Sequence, residues 1–313
     1  MFTRPALLAL TLFACAGCAS PPSPLDATPR FRANATRVEG AQCFIELSTK
    51  VKDWRAHLGV TWDARVAEVF PQGGARIEAT LTCLDLQLPT GIGFNTKSLS
   101  RFLRLGHGPI PLAPLLTKLV GKRFSYTVSA KGEVEVYEWS SIVEQAARES
   151  ELEAPQDGTI PSQSTLARAI SRAYGAMPHA QVQLGGETKR AVDFPLERDG
   201  GPRVHGQDSL TYRGFGEAEV EATGDEWELE GLELSLRGQA RAEQGETRHG
   251  VVKEGPSMRE GVLLLSEDGG ELLLYREQTW TELHPNTSIG WLDGIELARL
   301  SMGWLVYAES RWN

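Results

Sequence analysis

Four cysteines, Cys15, Cys18, Cys43 and Cys83, are the side chains of this chain whose type and spacing allow covalent chemistry. Cys43 and Cys83 lie in segments that read as strands. With no other thiol in the body they form the one available intramolecular pair, and an oxidising compartment would close it. The bridge would enclose about 40 residues and stabilise by about 3 to 4 kcal/mol. The alternative is two buried thiols acting as small hydrophobes. The six histidines, His57, His107, His179, His205, His249 and His284, are isolated from one another, with no His-Glu-x-x-His and no Cys-x-x-Cys. There is no Gly-x-Ser-x-Gly elbow and no phosphate-binding Gly-Lys-Ser/Thr loop. Glu217, Glu219 and Glu221 alternate with Ala218, Val220 and Ala222, which spreads carboxylates along the wet face of a strand instead of gathering them around calcium. No catalytic residue, metal set or cofactor is therefore expected, although a site assembled from distant residues leaves no local motif.

The elements that must position these residues begin with an address. The first segment, Met1 to Gly17, has one basic residue, Arg4, then the apolar run Ala6 to Ala14 and small residues, the layout of a secretory signal. The run is too short to span a bilayer, which takes about 20 apolar residues. It continues Cys15-Ala16-Gly17-Cys18-Ala19-Ser20, and Ala16-Gly17-Cys18 resembles the lipobox of bacterial lipoproteins. The resemblance implies cleavage before Cys18 and acylation of its thiol; Cys15 stands where that family usually has Leu. A rival frame, Leu12-Phe13-Ala14-Cys15, has the Leu but places bulky Phe13 at a small-residue position, and a plain cleaved signal with no lipid is the third reading. By the same resemblance, Ala19 and Ser20 after Cys18 imply the outer membrane, facing the periplasm, over retention at the inner one.

Residues 18–37 carry Pro21, Pro22, Pro24 and Pro29 and almost no large apolar side chain, so they read as a tether. The remainder reads as an N-terminal β-meander with an inserted helix (38–140), a helical segment (141–175) and a C-terminal β-meander (176–313). The fold class is α+β, mainly antiparallel sheet with a few short helices, and two half-barrel-like sheets are one arrangement of it. Val60 to Val66 and Ile77 to Cys83 alternate with period two around Pro71-Gln72-Gly73-Gly74, and Phe124 to Val128 with Glu133 to Tyr137 flank Ala130-Lys131-Gly132. Leu112, Leu115, Leu116, Leu119 and Val120 have helical spacing, closed by Gly121. Further helices are expected over Ser141 to Leu152, opened by a Ser141–Glu144 capping box, and over Thr165 to Tyr174, closed by Gly175. Trp227 and Leu229 are out of phase with Leu232, Leu234 and Leu236, and a bulge at Gly231 would bring both sets to one core. Trp280, Trp291, Trp304 and Trp312 read as aromatics of closing strands more than as a membrane belt.

With 32 Lys and Arg against 41 Asp and Glu, the net charge of −9 argues against nucleic acid as a partner. The body resembles the half-barrel lipid and lipoprotein carriers of the bacterial periplasm, and also large strand-meander lipoprotein families. That resemblance implies a non-enzymatic envelope lipoprotein whose partners are a membrane, through its lipid anchor, and an apolar or protein ligand between sheet and helices. Leu112, Leu115, Leu116 and Leu119 are the candidate wall. A structural lipoprotein without ligand and a lipid-anchored hydrolase are the alternatives. Mass spectrometry of the mature N-terminal peptide should find Cys18 first in the chain and acylated; an unmodified peptide starting elsewhere refutes the assignment, and acylation at Cys15 selects the rival frame.

Overall fold

The computed structural model describes residues 24–48, 53–87, 93–98, 112–153, 160–196, 201–222, 225–247, 250–285 and 298–310. Cys15, Cys18, Trp291 and Trp312 lie outside them. The N-terminal half contributes β1 (Leu25–Asp26), β2 (Thr36–Ser48), β3 (Asp53–Val69), β4 (Gly74–Gln87), β5 (Gly93–Asn95), α1 (Ala113–Leu119), β6 (Arg123–Ser129) and β7 (Val134–Tyr137). Two helices follow, α2 (Trp139–Glu149) and α3 (Gln163–Ala176). The C-terminal half contributes β8 (Gln181–Val182), β9 (Glu187–Pro195), β10 (Arg203–Ala222), β11 (Asp225–Ala242), β12 (Gly245–Thr247), β13 (Gly250–Val252), β14 (Gly255–Leu265), β15 (Leu272–Pro285) and β16 (Ala298–Ser310).

The fold is α+β and dominated by antiparallel sheet. The two meanders are one continuous sheet, in the order β7-β6-β4-β3-β2-β16-β15-β14-β11-β10-β9, because β16 returns to pair with β2 from Arg299↔Ser48 to Ser310↔Arg37. The two half-barrel-like sheets that the alternation allowed as one arrangement are thereby joined into one. Strand β16 is buried along most of its length, so its backbone needs a neighbour on each edge; β15 supplies one and β2 the other. Helix α3 packs on β7, β6, β2, β16 and β15. Those strands extend over six strand spacings of the sheet, about 29 Å if it were flat, whereas the 14 residues of α3 are about 21 Å long. The sheet therefore curves around the helix, and its concave face carries the main core of Trp62, Ile77, Leu81, Tyr126, Tyr275 and their neighbours. Among the described residues no helix is long and apolar enough to cross a membrane.

Local chemistry accounts for most elements. The β3–β4 turn holds Gly73 and Gly74 at φ of +87° and +88°, and a Cβ on Gly74 would lie 2.3 Å from the Val128 carbonyl oxygen. Gly121 follows α1 at φ +84°. Helix α2 starts two residues before the expected box. Its N-cap, Glu138, has φ +63° and gives no side-chain cap, and the Ser141 hydroxyl donates to the Glu138 carbonyl. The start is set by Trp139, 1% exposed, whose Nε1 donates to Pro161 O at 2.7 Å. Helix α3 runs through Gly175 to Ala176 and opens on Ser162, which accepts from Thr165 N at 3.2 Å.

Tertiary structure overrides the sequence at three further places. Residues 24–37 are not all tether: Leu25 and Ala27 are buried, Arg30 N donates to Gly270 O at 2.7 Å, and the Phe31 ring meets Tyr174 of α3 at 5.8 Å. β11 has no bulge at Gly231, since its register with β10 is unbroken there; the irregularity is on β10 between Tyr212 and Gly214. Trp227 and Leu229 thus stay on the convex face, where they pack with Val220, Leu264, Leu274, Leu305 and Tyr307 as a second core. The hairpin tip crosses that face until Trp227 and Tyr307 have ring centroids 5.3 Å apart. Finally, there is no Cys43–Cys83 disulfide. Cys43 pairs with Leu58 and Cys83 with Thr61, so the two thiols sit on strands flanking β3. Two strand spacings are about 9.6 Å, beyond the ~7 Å Cα separation a bridge can span, and Cys43 packs on the concave core while the Cys83 thiol meets Thr96 and Asn95. Thiol titration of the denatured, unreduced body should find both Cys43 and Cys83 reactive; a blocked pair would contradict this geometry.

Candidate functional site

Partners in an antiparallel ladder share a face, so register alone assembles a row across five strands: Arg190, Asp208, Gly238, Arg259 and Thr279. The row lies on the concave face. Asp208 and the Arg259 side chain are fully buried and meet across the intervening strand, Nε to Oδ1 at 2.8 Å and Nη2 to Oδ2 at 3.0 Å. Gly238 makes this possible, because a Cβ there would stand 2.2 Å from Asp208 Oδ1. Arg190 donates to Asp208 Oδ2 from Nη2 at 3.0 Å. Arg259 also donates to Glu277 Oε2 at 2.7 Å and to Thr279 Oγ1 at 3.3 Å. The Tyr275 hydroxyl donates to Glu277, and Arg172 of α3 closes the belt from above with an ion pair to the same carboxylate. The Phe194 ring lies under two guanidinium groups, 4.0 Å from Arg172 Cζ and 4.8 Å from Arg259 Cζ.

Burial alone would raise the Glu277 carboxyl, but Arg172 and Arg259 outweigh it and hold the group below the usual carboxylate range. Burial pushes the Tyr275 hydroxyl up to about 12, so it stays a donor at neutral pH. A second buried cluster ties α3 two residues further on, at Tyr174. Glu39 accepts from Trp62 Nε1 at 2.8 Å and from the Tyr126 hydroxyl, pairs with Arg37, and Arg37 Nη2 donates to Tyr174 OH at 2.6 Å. Arg172 and Tyr174 thus fix one helix to the sheet at two points.

The belt divides the concave face. On one side lies the main core; on the other lies a separate cluster of Leu47, Phe194, Leu196, Val204, Ala240, Ala242, Val252, Leu283 and Leu300, with Ile45 and Val192 packed against it. The expected wall is elsewhere. Leu115, Leu116 and Leu119 are 0% exposed in the main core and Leu112 packs on it only partly buried, because α1 lies against α2. Two described depressions, of ≈ 750 Å³ beside Arg65, Arg76 and Arg123 and of ≈ 580 Å³ between β7 and the start of α3, are lined by other residues. Trp304 is in the core and Trp280 lies under Arg299.

His57 Nε2 lies 2.7 Å from Asp85 Oδ2, a base and its orienting group on neighbouring strands. The nearby Cys83 thiol is pushed up by burial, which keeps it from acting as a thiolate. His205 lies between Asp193 and Glu243 on the exposed surface. Among the described residues no group of three or more potential ligands could hold a metal ion. Sequence reasoning missed Arg172, Asp208, Arg259 and Glu277. Extending the Leu263–Leu265 phase back along β14 to Arg259 and Ser257 would have placed both on the core face.

No family model and no curated protein sequence matches the chain. Among solved structures, it is similar to lipovitellin, studied for its lipid–protein interactions, with 8% identity and a TM-score of 0.43 over 90% of this chain and 26% of that one, so it spans about a quarter of that protein. It is also similar to DynF of the dynemicin biosynthesis pathway of Micromonospora chersina, with 8% identity, coverage of 100% and 94%, and a TM-score of 0.18. A candidate lipoprotein from Parabacteroides distasonis has 7% identity, coverage of 88% and 96%, and a TM-score of 0.21.

The belt predicts a defined acid limb. Because the Glu277 carboxyl lies below its free value of 4.5, its contribution is present above about pH 4.5 and is lost as pH falls through the folded-state value. Glu277→Gln should cost about 3 to 5 kcal/mol at neutral pH by taking the carboxylate from Arg172 and leaving Arg259 with Asp208 alone. Its unfolding free energy should approach that of the native chain only as pH falls through the lowered folded-state value of Glu277; a gap independent of pH would show that the charge is not what matters.

Proposed function

We propose that this chain is a lipoprotein of the cell envelope, anchored through Cys18 to the outer membrane on its periplasmic side, that binds an apolar, lipid-like ligand between its curved sheet and its helices. The observation that carries the reading is the divided concave face. A sheet that buries one continuous core gains little net stability from a band of ionised groups, since a buried ion pair costs desolvation that apolar packing avoids. A band of charge with apolar side chains on both sides suits a molecule that is itself apolar with a polar end. The proline-rich segment before Leu25 would let the body work above the membrane surface. No catalytic step is needed. His57 and Asp85 have the geometry of a general base, but the Cys83 thiol two residues from Asp85 is pushed up by burial and stays neutral.

Native mass spectrometry of the full chain purified from its own membrane tests the reading. A copurifying lipid of defined mass, beyond the acyl groups on Cys18, is the expected result. Its absence across preparations would leave a structural envelope lipoprotein.

A further inference from the structure

One cross-strand row beyond the charged belt consists of small side chains. Gly206 pairs with Ala240 and Ala240 with Ser257; the β14–β15 register of Arg259↔Thr279 and Met258↔Trp280 places Ser257 beside Thr281, and Thr281 pairs with Leu300. Ser257 and Thr281 are 2% and 4% exposed, and they share the concave face with Arg259 and Thr279 two residues away. Their outward neighbours Met258 and Glu282 are exposed. Neither Ser257 Oγ nor Thr281 Oγ1 has a hydrogen-bond partner. Two adjacent, buried, unsatisfied hydroxyls are uncommon in a folded protein, where such groups almost always find an acceptor.

Two further observations say what that acceptor is. The row is walled on its far side by the cluster containing Val204, Ala242, Val252, Leu283 and Leu300, which runs across the strands from Phe194 on β9 to Leu47 on β2. On its near side, among the described residues, three guanidinium groups, Arg172, Arg190 and Arg259, face two carboxylates, Asp208 and Glu277. One positive charge is in excess in a largely buried cluster. We propose that this row seats a long-chain carboxylate, a fatty acid or its equivalent, with the alkyl chain along the apolar cluster and the carboxylate accepting from Ser257 Oγ and Thr281 Oγ1 on the guanidinium side. A single negative charge with two acceptor oxygens matches both the surplus charge and the two donors; a neutral ester satisfies the donors alone. The proposal rests on the lipid-binding reading given above and specifies its ligand class and its site.

The test uses the full chain, sodium palmitate and methyl palmitate, with binding followed by native mass spectrometry and titration calorimetry. Palmitate should bind one to one and more tightly than methyl palmitate. Thr281→Val and Ser257→Ala, which remove hydroxyls and little volume, should each weaken palmitate binding about tenfold, the usual loss for one hydrogen bond to a charged group. Thr281→Ser should retain binding, and thermal midpoints without ligand should be unchanged or higher in the Val and Ala variants, since the deleted hydroxyls bond to nothing in the protein. Unchanged palmitate affinity in both variants, or equal affinity for the methyl ester, overturns the site even where a lipid still copurifies, and the function proposed above then survives without it. Failure of palmitate to bind together with absence of any copurifying lipid removes both.

Discussion

The pairing of β16 with β2 is the constraint on which the architecture depends. Each meander by itself would end in two exposed edges, and the strands at those edges would offer unpaired backbone groups to other chains. Joining the last described strand to one of the first turns two meanders into one sheet with edges at β7 and β9. Only a sheet of that breadth can curve far enough to hold α3 in its hollow. The close fit is visible in Gly40 and Gly303, both beside the seam: a Cβ on Gly40 would meet the Tyr307 ring at 2.3 Å and one on Gly303 the Phe44 ring at 1.8 Å. Glycine at these positions lets an aromatic ring lie flat over the neighbouring strand.

Two buried polar clusters then fix α3 in register with that hollow. Apolar packing specifies that a helix sits on a sheet but tolerates rotation and sliding, whereas an unpaired buried charge is costly enough to penalise every other placement. Arg172 must find Glu277 and Tyr174 must find Arg37, and the two lie two residues apart on one helix. The same physics makes the clusters a poor source of net stability and a good source of a single conformation. The position of the Arg259–Glu277 belt between two apolar clusters also gives the concave face its polarity, which is what the functional reading rests on.

The convex face shows a different use of length. β10 and β11 outrun their neighbours, and after Leu232↔Leu265 the hairpin leaves β14 and folds over the outer surface. It buries Leu264, Leu274 and Tyr307, which would otherwise form an exposed apolar strip. The acidic side chains Glu217 and Glu219 on that tip face water, as their alternation with Ala218 and Val220 requires.

The amino-acid sequence by itself determined the period-two strands, the glycine turns at Gly73, Gly74 and Gly132, the apolar stripe of α1 and the antiparallel class, because each follows from side-chain alternation or from backbone freedom within a few residues. It also carried the cysteine context of the N-terminal segment. Which meander edges meet, which way the Trp227 face points and whether Cys43 can reach Cys83 were decided only by tertiary structure, since they depend on strand order and register between segments far apart in the chain. The site followed the same division. Arg259 and Glu277 look like ordinary surface charges on alternating strands until the register sets them opposite Asp208 and beneath Arg172, and Gly238 looks like a weak point in a strand until the ion pair that crosses it is seen. Leu115, Leu116 and Leu119 showed correctly that they are apolar and helical; whether an apolar face lines a cavity or fills a core depends on what packs against it, and here α2 does.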